Sequence, residues 1–253
     1  MQLFFNWFLV FARAGAMLSV FPVFSASAVP VRLRIALGAM LAFLVSPTLV
    51  GGPSPAQLGL LDVAVLLFKE ISIGLLMGYL CRLVTFSVQL AGHFISMETG
   101  LQMGSLVAPG ESTPTEVPGV ILNLLAIMLL LALDIHQMIL IAFTQSYTVL
   151  PIDGGRLSEE LFRSVTAMAG RTFLVAVKIA APLIAVGIVV NLLLMVFARA
   201  TPQMNIFAES FSVRILIGLA LFGMTMNLTA EHIAAYLRQL PEDFILVTRL
   251  LGG

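Results

Sequence analysis

Continuous apolar runs, rather than alternating ones, make up most of this chain. They lie near Met1–Val20, Leu33–Val50, Leu60–Leu90, Val117–Leu150, Thr172–Ala198 and Val213–Leu237. Turn-forming stretches separate them: "FPVFSASAVP", "VGGPSPAQ", "MGSLVAPGESTPTEVP", "LPIDGGRLSEE" and "ATPQMN", rich in the residues that break helices. A half-buried strand alternates apolar and polar positions, and a membrane-barrel strand covers only about 10 residues. These runs do neither, so the pattern predicts an all-α protein. A hydrocarbon core of about 30 Å is crossed by about 20 helical residues. Leu60–Leu90 and Val117–Leu150 both exceed that, so they extend beyond a bilayer, tilt strongly or break into hairpins.

Composition turns the pattern into an environment. Of 253 residues 60% are hydrophobic and 10% are charged, against about 25% charged in a soluble domain; the chain is membrane-associated. Thirteen Lys and Arg balance thirteen Asp and Glu, leaving no basic field to attract nucleic acid. The single cysteine, Cys81, excludes an intramolecular disulfide framework and a cysteine-based zinc site. The first run reads as a retained helix. A secretory signal opens with a positive segment, whereas the first cation here, Arg13, falls inside the apolar run.

Charge placement argues against a standard bundle of spans. If six spans are assumed, Arg156, Arg163, Arg171, Arg238 and Arg249 fall on one side, and Arg32, Arg34, Arg199 and Arg214 on the other. That near-balance gives no positive-inside orientation. Several polar groups also fall within apolar runs: Lys69 and Glu70 in the third, Asn123, Asp134, His136 and Gln137 in the fourth, Lys178 and Asn191 in the fifth. Such groups are costly in lipid and normally face protein or water, which predicts extensive contact with partners. Gly74 with Gly78 and Gly100 with Gly104 have the G-x-x-x-G spacing that lets helix backbones approach closely. Thirteen methionines supply flexible apolar filler.

Candidate chemistry is sparse. Asp134 and His136 stand two apart, which points them to different faces of a helix. His93, Glu98 and His232 have no metal-ligand spacing, and no nucleophile elbow, zinc-protease motif or phosphate-binding loop is present. No enzyme, metal site or cofactor is nominated. A secondary transporter would use Lys178, Asp134 and His136 for coupling ions, and stands as the alternative reading.

Five stretches carry a resemblance: Arg32 and Arg34 in "VPVRLRIALGA", "FKEISIGLLMGYL" at Phe68–Leu80, "QLAGHFISMETGLQMG" at Gln89–Gly104, "LLALDIH" at Leu130–His136, and "VNLLLMVFARATPQMNIF" at Val190–Phe207. Together they resemble the R-subunit (FliR) family of the flagellar type III protein export gate, whose injectisome counterpart is the T-type (SctT) subunit. Two places depart from that family's pattern. Ile135 stands where a glycine commonly precedes the histidine, and "ESFSV" at Glu209–Val213 replaces a glycine-phenylalanine-proline triplet.

The resemblance implies tilted, kinked helical hairpins within a hetero-oligomeric helical export-gate assembly, in the bacterial inner membrane within the flagellar basal body. It implies a core channel subunit through which unfolded rod, hook and filament proteins pass. The implied partners are the P and Q subunits (FliP, FliQ), the FlhB-type switch subunit, membrane lipid and export substrates in transit. The chain then divides into N-terminal helices (1–104), a plug-like loop (105–119) and C-terminal helical hairpins (120–253) of one all-helical domain. The loop comprises Ser105, Leu106, Val107, Ala108, Pro109, Gly110, Glu111, Ser112, Thr113, Pro114, Thr115, Glu116, Val117 and Pro118; its three prolines keep it out of helix and sheet, and Leu106 and Val107 offer apolar bulk to obstruct a pore. Subunit contacts are expected at Lys69, Glu70, Gly74, Gly78, Gly100, Gly104, Arg199, Pro202, Gln203, Met204, Asn205 and Phe207. In "ATPQMNIF", Thr201 suits a helix cap and Pro202 a first turn, which makes the stretch a tight break between two helices.

Overall fold

A computed structural model describes residues 2–25, 29–49, 58–101, 116–155, 158–200 and 206–252. All the regular structure in them is helical. Helix α1 spans Gln2–Val20, α2 Pro22–Ser25 and α3 Val31–Val45, with a 3-10 turn at Ser46–Thr48. Then come α4 (Leu60–Glu98), α5 (Val117–Ala132), α6 (Ile135–Val149), α7 (Glu159–Ala200) and α8 (Ile206–Gly252). Among the described residues four helical segments are long and apolar enough to cross a membrane: Gln2–Val20, Val31–Thr48, Glu159–Ala200 and Phe211–Gly252. The bent pair α5 and α6 makes a fifth if it counts as one span.

The two overlong runs resolve differently. Leu60–Leu90 becomes part of one unbroken 39-residue helix, with a contour of about 60 Å. Val117–Leu150 breaks at Asp134, whose φ of 55° lies in the left-handed region. Aspartate tolerates that region better than a β-branched residue, because its short carboxylate bonds locally. Here Asp134 Oδ1 accepts from Gln137 Nε2 at 3.1 Å.

The last two helices are longer than their apolar runs. Helix α7 begins at Glu159 because Ser158 caps it: Ser158 Oγ accepts from Leu161 N–H at 3.1 Å, and Glu159 and Glu160 occupy the first turn, where the helix dipole favours acids. Helix α8 continues through Pro241 to Gly252. Its C-terminal half buries Leu237, Leu240, Phe244, Val247 and Leu251, the three- and four-residue spacing of a helix stripe.

The chain packs as two compact units, neither continuous in sequence. The first draws on Met1–Leu83, Leu131–Ala169 and Leu237–Gly253, and the second on Val84–Leu130 and Gly170–Tyr236. In the first, α1 buries Leu9, Val10, Ala14, Met17 and Leu18. Helix α3 meets α1 closely, with Gly38 against the Phe11 ring and the Gly15 backbone. Trp7 stacks between Phe4 and Phe11 and donates its Nε1–H to Ala39 O at 3.3 Å. Helix α6 contributes Ile135, Ile139 and Phe143 to the same core.

The second unit buries Val84, Val88, Ala91 and Ile95 of α4, Leu122, Ala126 and Leu130 of α5, and Ala176, Ile179, Ala180 and Leu183 of α7. Within it α7 and α8 are neighbours. Thr172 Oγ1 and Tyr236 Oη meet at 3.4 Å, and residues between Leu183 and Val190 line a common cavity with residues between Arg214 and Leu221. Contacts that advance along α7 while retreating along α8 make the two helices antiparallel.

Candidate functional site

Helix α4 carries Glu70, Gly74 and Gly78 at four-residue intervals, so they form one stripe on its surface. Helix α1 lies on that stripe. An added Cβ at Gly74 would strike the Arg13 carbonyl and Ala16, and one at Gly78 the Met17 carbonyl and Val20. The two bare positions therefore allow backbone-to-backbone approach. One turn before Gly74, Glu70 receives the Arg13 side chain. Nε donates to Glu70 Oε2 at 2.6 Å and Nη2 to Oε1 at 2.8 Å, a bidentate fork.

Both side chains are buried, at 0% and 1% exposure. The rest of the guanidinium is also occupied. Nη1 donates to Ser146 Oγ at 3.2 Å, and the ring of Tyr147 lies 3.9 Å from Cζ. Helices α1, α4 and α6 thus converge on one cation. An ionised pair is tolerable in so dry a place only when its hydrogen bonds are met.

Lys69, the neighbour of Glu70, points elsewhere. Its Nζ donates to Asp153 O at 3.2 Å and to Asp153 Oδ1 at 3.1 Å, with both side chains solvent-exposed. Glu70, Gly74 and Gly78 were expected at subunit contacts. Their faces are occupied by α1 of the same chain.

The second constellation lies in the second unit, at the stem of the 105–119 loop. Of that loop, Glu116, Val117, Pro118 and Gly119 are described; residues 105–115 lie outside the described residues, as does Gly104. Glu116 Oε1 lies 2.7 Å from His93 Nδ1. Beside them the Gly92 and Gly119 backbones meet so closely that a Cβ added at Gly92 would strike the Gly119 backbone. Helix α4 then stops. Thr99 N–H still donates to Ile95 O at 2.9 Å, and Gly100 follows with φ of 72°, the left-handed conformation that glycine supplies at helix ends. The final α4 turn inserts between two further glycines, with Glu98 against Gly187 of α7 and Thr99 against Gly218 of α8.

The remaining expected residues are dispersed. Arg199 is exposed in the last turn of α7. Pro202, Gln203, Met204 and Asn205 lie outside the described residues, and Phe207 falls in the first turn of α8. Helix α7 is described to Ala200 and α8 from Ile206; the interval read as a break lies outside the described residues. Asp134 and His136 belong to the first unit and Lys178, exposed, to the second. His136 Nδ1 is buried without a hydrogen-bond partner among the described residues. Among the described residues no group of three His, Cys, Asp or Glu side chains could hold a metal ion.

Sequence reasoning placed Arg13 in the first apolar run but missed its role. The available signal was a lone cation there and an acid, Glu70, well inside the third run. Each is too costly to bury alone.

Residues 4–240 match the family described as bacterial export proteins, family 1. Three flagellar biosynthetic proteins FliR are similar along nearly their whole length. The Caulobacter vibrioides protein is 30% identical over 87% of this chain and 87% of its own. The Pectobacterium carotovorum protein is 29% identical over 95% and 94%, and the Escherichia coli protein 29% identical over 92% and 90%. A charged keystone between α1 and α4, glycine-lined helix contacts and a match from residue 4 to residue 240 all belong to one chain, which is a member of the bacterial export proteins, family 1.

Proposed function

We propose that this chain is a core channel subunit of a flagellar type III protein export gate, forming part of the pore wall and its plug. The observation that carries the reading is the family match over residues 4–240, joined by relatives named flagellar biosynthetic protein FliR of nearly the same extent. The gate stands in the bacterial inner membrane within the basal body. It assembles with the P and Q subunits (FliP, FliQ) and the FlhB-type switch subunit, and passes unfolded rod, hook and filament proteins.

The surface suits such an assembly. Helix α7 presents Leu192, Leu193, Met195, Val196 and Phe197, each more than half exposed, just before Arg199. We place the main subunit contact there and in the following 202–207 stretch. Gly74 and Gly78 are already filled within the chain, so they act by shaping the subunit. The loop 105–119 is the plug, and Glu116 with His93 and Gly119 with Gly92 hold its downstream stem against α4.

A secretion assay tests this reading. Cells lacking the chain should fail to export hook and filament proteins while small-solute uptake stays normal. Normal export with defective uptake would replace the gate by the transporter.

A further inference from the structure

Glycines at Gly187 and Gly218 are unusual in what they admit. Each stands on a different helix of the second unit, and each is bare where the end of α4 enters. A Cβ at Gly187 would fall on Glu98 Oε2, and one at Gly218 on the Thr99 side chain. The carboxylate of Glu98 is thereby carried into a cavity of about 20 Å³ between α4, α7 and α8. Arg214, one turn before Gly218 on α8, lines the same cavity. Among the described residues its Nε is buried with no hydrogen-bond acceptor. Among the described residues neither Glu98 nor Arg214 has an ion-pair partner within 4.0 Å. The other lining residues are uncharged, including Leu183 and Val190 of α7 and Leu221 of α8.

Two opposite charges facing one small cavity, and not touching, leave a specific requirement. A buried N–H without an acceptor costs about 1–3 kcal/mol, more when it belongs to a charged group. A cavity admits a water molecule once it offers about 10–15 Å³ and at least two polar partners. This one has the room of a single water. Its partners are an acceptor, the carboxylate, and a donor, the guanidinium Nε–H. A bridging water bonds both at once, at nearly the enthalpy of a direct hydrogen bond.

We propose that Glu98 and Arg214 form a water-bridged charge pair, a one-water binding site that ties the last turn of α4 to α8. Gly187 is the positioning residue, because any side chain there displaces the carboxylate.

The test uses the full-length chain in detergent, with Glu98→Gln, Arg214→Gln and the double variant. Each single change is expected to lower the unfolding midpoint by about 2–4 °C. The double should fall no further than the worse single, since both break one unit. Infrared difference spectra supply the second readout. Glu98→Gln should remove carboxylate bands and no acid carbonyl band. A water O–H band that shifts in oxygen-18 water should be present in the parent chain and absent from every variant.

Additive midpoints, an acid carbonyl assigned to Glu98, or no isotope-sensitive water band would each overturn the proposal. Should Glu98→Gln fail to fold, Arg214→Lys serves in its place. It keeps the positive charge and deletes the Nε–H, so loss of the water band is expected and its survival contradicts the bridge.

Discussion

In the first unit, three residues repeating every fourth position on α4 are all met by α1: Glu70 by the Arg13 guanidinium, Gly74 by the Arg13 carbonyl and Gly78 by that of Met17. In the second unit, α7 carries Ile188, Val189, Leu192, Leu193, Met195, Val196 and Phe197, every one more than half exposed. A bidentate salt bridge is inside, and a run of large apolar side chains is outside. Polarity has not sorted these residues. Whether a complementary group stands against them among the described residues has. Arg13 finds its acid, its hydroxyl and its aromatic ring within the unit, while among the described residues the α7 face stays exposed, a surface suited to lipid or to another subunit.

The sharpest way to break this contrast is to remove one half of the charged contact. Arg13→Ala leaves Glu70 ionised and buried, and should cost about 3–5 kcal/mol; little folded protein should survive detergent extraction. Replacing both, as Arg13→Met with Glu70→Leu, should restore much of the yield, because a matched apolar pair can substitute for a buried ionic one. Extraction followed by size-exclusion chromatography checks both outcomes.

Next in size is the glycine contact. Gly74→Val places a branched side chain on the Arg13 carbonyl, and the helices must separate. A loss of about 1–3 kcal/mol is expected, as for overpacked cores. Thermal unfolding in detergent reads it, and an unchanged midpoint would show that α1 does not sit against that stripe.

The sequence made parts of this visible and hid others for physical reasons. Apolar runs marked the helices, while the break read in "ATPQMNIF" falls largely outside the described residues. The G-x-x-x-G spacing marked close helix contacts and was assigned to subunit interfaces, whereas Gly74 and Gly78 meet α1 of the same chain. Arg13 and Glu70 stand 57 positions apart, and no local pattern joins residues so distant. Helix α8 ran past its apolar segment because Leu240, Phe244, Val247 and Leu251 form a stripe among polar residues. A continuous-run criterion overlooks it, and the helical period shows it. The start of α7 was likewise signalled by Ser158 followed by two acids, which read more readily as a loop. The cavity at Glu98 had no sequence signature, since Gly187 and Gly218 lie on separate helices from the residues they admit.

Two smaller effects sharpen the comparison from the exposed side. Lys69→Ala breaks the solvent-facing pair with Asp153 and should cost less than about 1 kcal/mol, a contrast with Arg13 that urea titration of the purified chain can measure. Leu193→Ser, on the exposed α7 face, should change the stability of the isolated chain by no more than about 0.5 kcal/mol. Yet it should sharply lower the P and Q subunits recovered with a tagged chain. Normal recovery would assign that face to lipid instead.

Co-expression of a tagged chain with candidate P and Q subunits, detergent purification and native mass determination tests the central claim most directly. A single large hetero-oligomer containing all three is the predicted result. A stable, monodisperse chain that ignores both partners would contradict the export-gate account.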